Sequence, residues 1–588
     1  LHPVIRVLNR WAQIDEGDTE TVAFEKLARA VTAISPENAE EIIPFVATMM
    51  RLTLPRQYAQ RVQGIRGEAL EQLIFKNCRD LSLAVARTRP LVVVNEDLHW
   101  ADTSTIDLLA FLFRLAETER ILFINVFRPG YTTTSERLTQ IVRERFALLY
   151  IEMPLAPLDT QACRTVIANM LETRQSHRRV IDEITRRAGG NPFFLEEIVR
   201  TFIGQGAAKM MDGSLRLSER VNGLTIPPTI NEVLMVRIDQ LRAEARRLIK
   251  VAAVIGRIFL YRILVDVAEA VADIDEQLTY LAAMQFISMR QNENETEYQF
   301  KHDLAQEAAY SSIMLSKRRQ LHLKVAASIE KRFGHRLQDF YGMLAYHYSQ
   351  GEDEEKAAEF LIKAGEEAMN SSASAEALHY YQSALELYLK KYGAAADADR
   401  LALFEKNIAF AYFNKGQYAD AILFFDRALA RLGVKQPANR ATLWAQFAYS
   451  FLIYYLSLYF PYFNYRQKPA PREQEILSLY LNKAKALGVL DPVRFFIESI
   501  VIAKRMTAYD LSLIDNGAAL FAGTSVSISW SGNSLRLSRR ILDFGRVRIN
   551  PTDIKSRLFH RMCALAYNCV AGNYPVADYD SDLIEQNL

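Results

Sequence analysis

The sequence predicts a multidomain α/β-plus-α chain: part of a parallel-sheet core, a small helix-and-hairpin module and a long α-helical solenoid. Three observations predict it. Two strand-length apolar runs, Leu91-Val-Val-Val-Asn95 and Ile121-Leu-Phe-Ile-Asn-Val-Phe127, flank one amphipathic helical stretch, the pattern of a βαβ unit. A turn rich in Asn and Glu separates two short runs in the region 286–301. After residue 340, alanine and aromatic residues recur at the spacing of paired helices. The length of 588 residues also exceeds one domain of about 100–200 residues. By motif the chain divides into segments 1–90, 91–224, 225–335 and 336–588.

Residues 1–90 read as helices. Pro3 and Pro36 sit near helix starts, where a missing N–H is tolerated. Gly67-Glu-Ala-Leu-Glu-Gln-Leu-Ile-Phe-Lys begins a long amphipathic helix. The run from Leu91 then ends abruptly in two acids, Glu96 and Asp97. Such a run predicts a strand buried on both faces of a parallel sheet, with its carboxyl end open on a ligand crevice. This is how the Walker B strand of a P-loop NTPase reads. Glu96 is the candidate to hold Mg²⁺ through water, joined by Asp97, which is also the candidate to orient an attacking water. The plain alternative is a buried strand and an acidic turn.

The stretch from Thr103 to Leu115 reads as a helix with Thr103 or Ser104 as cap. The second strand ends in Arg128-Pro129. An arginine at that tip can reach a γ-phosphate, the sensor 1 position of AAA-type ATPases. Further on, Asp182-Glu-Ile-Thr-Arg-Arg-Ala-Gly-Gly-Asn-Pro192 predicts a helix stopped by glycine and a new one starting at Pro192.

Residues 225–335 read as a winged-helix module. Helices at 228–242 and 245–254 precede strands at Phe286-Ile-Ser-Met-Arg and Glu297-Tyr-Gln-Phe-Lys, with 291–296 as the wing. His302-Asp303 opens the next helix; in the plain alternative Asp303 caps that helix and His302 packs against it. Lys317, Arg318, Arg319 and Lys324 form a basic patch, read as a solvated face without nucleic-acid contact.

From residue 340 the chain reads as tetratricopeptide-like repeats. Ala409, Tyr412, Ala421, Phe425 and Ala428 occupy the small and aromatic positions of one unit, with Lys415-Gly-Gln-Tyr as its turn. Ala345, Tyr348, Ala357, Leu361 and Ala364 repeat those spacings, and Ala377, Tyr381 and Ala384 mark another helix. Asn573-Tyr-Pro-Val-Ala predicts one more turn. Ala441 to Tyr465 carries no charge and is long enough to span a bilayer. Tyrosines throughout and Pro461 favour a buried or partner-binding helix, with membrane contact as the alternative.

Composition excludes some classes. A net charge of +2 gives no global pull towards nucleic acid or membrane. Four scattered cysteines, Cys78, Cys163, Cys563 and Cys569, neither form a disulfide framework nor suggest zinc, and fit a reducing, cytoplasmic compartment.

Taken together, Glu96-Asp-Leu-His-Trp-Ala-Asp102, Val126-Phe-Arg-Pro-Gly-Tyr131 and Gly190-Asn-Pro-Phe-Phe-Leu-Glu-Glu197 resemble the signal-transduction ATPases with numerous domains (STAND). The nearest likeness is to the ATPase and repeat region attached to class III adenylate or guanylate cyclases. It runs on through Ile226-Pro-Pro-Thr-Ile, Val251-Ala-Ala-Val-Ile-Gly-Arg257, Phe300-Lys-His-Asp-Leu-Ala-Gln, Asp491-Pro-Val-Arg-Phe-Phe and Tyr509-Asp-Leu-Ser-Leu-Ile. The resemblance implies ATP or ADP with Mg²⁺ as cofactors. It lays the Gly190-Asn191-Pro192 turn against the adenine base and brings His302 to the ADP phosphates in a closed state. It further implies a protein or small-molecule signal at the repeats and an attached output domain, a cyclase foremost, with oligomerisation left open.

No Gly-x-x-x-x-Gly-Lys-Ser/Thr occurs. In the family that loop precedes a segment like His2-Pro-Val-Ile-Arg-Val-Leu. The chain is therefore expected to be a piece cut just after the P-loop and inactive by itself, with ATPase activity expected of the full-length protein. A degenerate ATPase serving as a repeat scaffold is one alternative. A maltose-activator-type transcription regulator is another; the acidic end of the chain does not resemble its DNA-binding segment.

Overall fold

The computed structural model describes residues 1–588 except 16, 172–177, 212–213, 218–225, 292–295, 436–439, 461–467, 515–516, 533, 550–553 and 573–588. The described chain is mostly helical, with three small sheets. It packs as two compact units, one of residues 1–12, 20–136 and 364–588, the other of 13–19 and 137–363.

In the first unit, strand β1 (Leu91–Asn95) pairs in parallel with β2 (Ile121–Asn125), Leu91 opposite Ile121 and Asn95 opposite Asn125. Strand β2 stops short of the expected Phe127. The connecting helix Thr103–Leu112 is capped by Asp102, whose carboxylate accepts the Thr105 N–H at 2.6 Å. Thr103 and Ser104 are not the cap, because the capping residue must stand before the first helical one. Leu83 and Ala86 of helix Glu68–Thr88, with Leu112 and Leu115, cover Leu91, Val93, Ile121 and Phe123 on one sheet face. The opposite row is exposed: Val92 by 55%, Val94 by 54%, Leu122 by 55%. Burial on both faces is thus not what this sheet has. A run of apolar residues reports strand propensity but not what covers each side.

The repeats follow the small-residue spacing. Helices Ser374–Tyr392, Ala398–Asn414 and Tyr418–Arg431 bury Ala377, Tyr381, Ala384, Ala409, Ala421, Phe425 and Ala428. Small residues matter because the helices approach closely: a Cβ on Gly365 would lie 2.4 Å from the Tyr381 ring. Gly416 takes φ +70° in the turn between two of these helices, a conformation that suits glycine. Helices Arg440–Tyr459, Pro471–Leu490, Pro492–Met506, Gly517–Trp530, Leu535–Arg546 and Ile554–Val570 continue the array. Phe425, Tyr454, Tyr480, Ile500, Phe521 and Ile541 share one core across it.

The uncharged stretch forms helix Arg440–Tyr459, buried along Tyr454 and Leu458 and exposed on its other side; residues 461–467 lie outside the described residues. Among the described residues no helix is long and apolar enough to cross a membrane. The turn expected at 573–577 also lies outside them.

In the second unit, helices Thr160–Met170, Arg178–Ala188 and Pro192–Gly204 enclose Ile167, Ile184, Leu195 and Ile198. A hairpin of β3 (Ala208–Met211) and β4 (Ser214–Leu217) follows. Helices Ile230–Asp239 and Ala243–Ile255 then lead to a three-stranded antiparallel sheet. It is ordered β5 (Ile258–Leu260), β7 (Thr296–Phe300), β6 (Ile287–Gln291). The expected wing tip, 292–295, lies outside the described residues. Ala345, Tyr348 and Ala357 of the later helices are buried as their spacing predicts. Part of the basic patch is engaged internally: Arg318 lies 4.2 Å over the Tyr310 ring, and Arg319 pairs with Glu352 at 2.5 Å.

Helix Leu315–Arg332 meets helix Tyr341–Gln350 through two buried histidines. His322 Nδ1 lies 2.8 Å from His347 Nδ1, and His322 Nε2 lies 2.9 Å from the Tyr310 hydroxyl. Burial, with Arg318 nearby, pushes His322 down to about 4. Burial and His322 itself push His347 down to about 3. Both values lie below the unfolded value of about 6.5. The unfolded chain therefore binds more protons, and the stability held above pH ~6.5 is lost as pH falls towards the folded values. Chemical denaturation should show about 2–3 kcal/mol less stability for this unit at pH ~5.5 than at pH ~7.5. His347→Leu should remove about half of that slope, since burial and Arg318 still hold His322 down; an equal slope in the variant contradicts the assignment.

Candidate functional site

The carboxyl edge of the β1–β2 sheet gathers three of the expected residues. Backbone pairing continues beyond the strands: Val126 N–H donates to Asn95 O at 2.8 Å, and Leu98 N–H to Val126 O at 3.1 Å. Glu96 and Asp97 therefore leave one strand tip, and Arg128 leaves the adjacent one. Glu96 and Arg128 are exposed and Asp97 is half-buried. Asp97 takes φ +55°, a left-handed conformation that aspartate tolerates better than most residues and that concentrates at functional sites. Two carboxylates at one tip match the sparse protein ligation that Mg²⁺ accepts, water and phosphate oxygens completing its shell. Among the described residues, no three His, Cys, Asp or Glu gather as a metal cage.

Two features of this edge escape sequence reasoning. Asn95 Nδ2 donates to Asn125 Oδ1 at 2.9 Å, bridging the strands at their last paired position. The only sequence signal is an asparagine ending each run. His99 is buried, accepts the Arg128 backbone N–H at Nδ1 (3.4 Å), and receives the Thr134 hydroxyl on its carbonyl at 3.2 Å. Its ring lies 5.0 Å from Tyr131 and 5.1 Å from Trp100. It thereby ties the segment after Asp97 to the segment carrying Arg128.

The other expected residues gather in the second unit. Helix Arg178–Ala188 ends at Gly189 (φ +55°) and Gly190 (φ +79°). Gly190 O accepts the Leu158 N–H at 2.9 Å, and a Cβ on Gly190 would lie 2.4 Å from Leu158 O. Only glycine fits there. Asn191 caps the next helix, its side chain accepting the Phe194 N–H at 3.2 Å, and Pro192 fills the first helical position. The Phe193 ring then stacks on His302, centroids 3.8 Å apart. Sequence-distant residues, the Gly-Asn-Pro turn and His302, thus share one surface. Partial burial holds the His302 imidazole below its usual pKa, with Glu196 opposing the shift. Asp303 does not cap its helix, as the plain alternative would have it. It starts its helix and pairs with Arg257 at 2.6 Å.

A cavity of about 550 Å³ borders the same turn, lined by Leu158, Asp159, Arg164, Asp182, Gly189 and Gly190 among others. Asn191, Pro192 and His302 do not line it.

No family model matches the chain. An uncharacterized protein of Rhizobium meliloti (strain 1021) is 30% identical over 311 residues, 52% of this chain and 28% of that protein. The chain thus spans under a third of the length of the curated relative it matches. Among solved structures, a signal transduction ATPase with numerous domains and a tetratricopeptide repeat sensor, from Pyrococcus horikoshii, is similar over 97% of this chain and 88% of that one. Its identity is 13% and its TM-score 0.32, too low to establish a common fold.

Proposed function

We propose that the chain is the switch and sensor part of a signal-transduction ATPase. In this reading the β1–β2 edge serves nucleotide chemistry: Glu96 and Asp97 hold Mg²⁺ through water, Asp97 orients the attacking water, and Arg128 faces the γ-phosphate. Bound Mg²⁺ supplies neutralisation of phosphate charge. The second unit is read by itself: as the resemblance implies, its Gly190-Asn191-Pro192 turn would wall a nucleotide base and its His302 would meet a diphosphate. The helices and three-stranded sheet of 230–300 act as a winged-helix module, the repeats take up a protein or small-molecule signal, and an attached output domain, a class III cyclase foremost, is regulated.

The observation that carries the reading is the Phe193–His302 stack. It joins the Gly-Asn-Pro motif to a histidine that helix capping alone does not require. In the full-length protein, ADP should raise the melting temperature. His302→Ala should shrink that rise by the equivalent of about 1–3 kcal/mol, as for a lost hydrogen bond to a charged group. A histidine that merely packs would lower melting equally with and without ADP. An unchanged ADP-induced rise removes His302 from the site.

A further inference from the structure

Helix Arg440–Tyr459 presents two unlike faces. Inward, Tyr454 and Leu458 are buried, and the Tyr454 hydroxyl meets Thr524 Oγ1 at 2.8 Å. Outward, Tyr449 is 59% exposed, Leu452 56%, Tyr455 40%, Leu456 42% and Tyr459 37%. Steps of three and four residues set these on one stripe, and the helix carries no charge after Arg440. A stripe of this size, left open, marks an interaction surface.

The residues beside the stripe are cationic. Arg540 lies 4.6 Å over the Tyr459 ring, and its Nε donates to Leu458 O at 3.1 Å. Lys504 lies 5.4 Å from the Tyr449 ring. Arg540 belongs to helix Leu535–Arg546, which buries Leu537, Ile541 and Leu542 and exposes Arg536, Arg539, Arg540 and Arg546. Asp543 is the one acid on that helix. Among the described residues no carboxylate pairs with Arg536, Arg539 or Arg546, in contrast to Arg494 and Arg505 nearby in sequence. Aromatic and aliphatic stripe and arginine row adjoin through the Arg540–Tyr459 contact.

We propose that this surface docks on an anionic lipid bilayer. Tyrosines settle at the headgroup level of bilayers, leucines between them enter the acyl boundary of a helix lying flat, and arginines beside them attract anionic headgroups. The chemistry selects against two other occupants. A second copy docked through the same patch would set arginine row against arginine row. A single-stranded nucleic acid needs free ring faces for its bases, whereas Tyr459 is covered by Arg540 and lies 4.6 Å from Tyr455, with aliphatic residues between the rings.

The test is sedimentation of the chain with phosphatidylcholine vesicles, with and without phosphatidylserine. Binding should require phosphatidylserine and weaken with salt. Arg536→Ser with Arg539→Ser should lower the partition coefficient about 10- to 30-fold, and Leu452→Glu with Leu456→Glu should abolish binding. All four positions are exposed, and thermal melting checks that both variants fold; should the glutamate pair lower it, Tyr455→Ser replaces that pair. Failure of the chain to bind phosphatidylserine vesicles, or full binding by folded variants, overturns the proposal. So does a dimer that Leu456→Glu dissociates without any vesicle binding, or an oligonucleotide that binds the patch where vesicles do not.

Discussion

Replacing Lys483 by methionine is expected to cost the repeat array about 3–5 kcal/mol, the usual penalty for stripping one partner from a buried ion pair. The Lys483 side chain is fully buried, with Nζ 2.5 Å from Asp426 and 2.6 Å from Glu498. Arg494 closes the ring, 2.7 Å from each of the same two carboxylates. Methionine matches the lysine stem but leaves two carboxylates facing one cation. The penalty should appear as a fall in the denaturation midpoint of this region. Adding Glu498→Gln to the methionine variant should recover part of it, because one unbalanced charge is then removed. A loss below about 1 kcal/mol would mean that water enters and screens the site.

Arg237→Met is expected to be of similar severity in the other unit, again about 3–5 kcal/mol. Arg237 is buried, pairs with buried Glu197, donates to Met284 O at 2.7 Å and lies 4.4 Å over the Phe286 ring. It therefore fastens the helix that begins at Pro192 to the segment leading into β6. Burial raises the Glu197 carboxyl above its usual pKa despite Arg237, so Glu197→Gln should cost less than the loss of the arginine. Denaturant titration of the two variants checks the order; equal losses would contradict it.

These two networks show where the sequence stops being legible. Lys483 stands in a helix that reads only as one more repeat helix, and Asp426 and Glu498 stand on two other helices. No local pattern announces that the three meet. The Ala and aromatic spacings of the repeats were legible because each unit needs the same small and large side chains at the same places. The strand tips were legible for a similar reason: a β-branched run must end where two acids begin, and one crossover helix sets its neighbour parallel to it. What covers the sheet was not legible, since Val92 and Val94 look the same whether packed or bare. The tie made by His99 was hidden because it runs through ring nitrogen and backbone. The stack of His302 on Phe193 had no signal in the sequence: the resemblance implies roles for Asn191, Pro192 and His302, and the contact through Phe193 needed the fold.

In the proposed function the β1–β2 edge performs nucleotide chemistry with Asp97 orienting the water. Single-turnover ATP hydrolysis by the full-length protein, wild type against Asp97→Asn, tests it most directly. The variant should retain nucleotide and hydrolyse it about 10²–10⁴-fold more slowly, the range for a lost acid–base group. Wild-type turnover in Asp97→Asn, with turnover abolished instead by Glu96→Gln, would contradict the assignment.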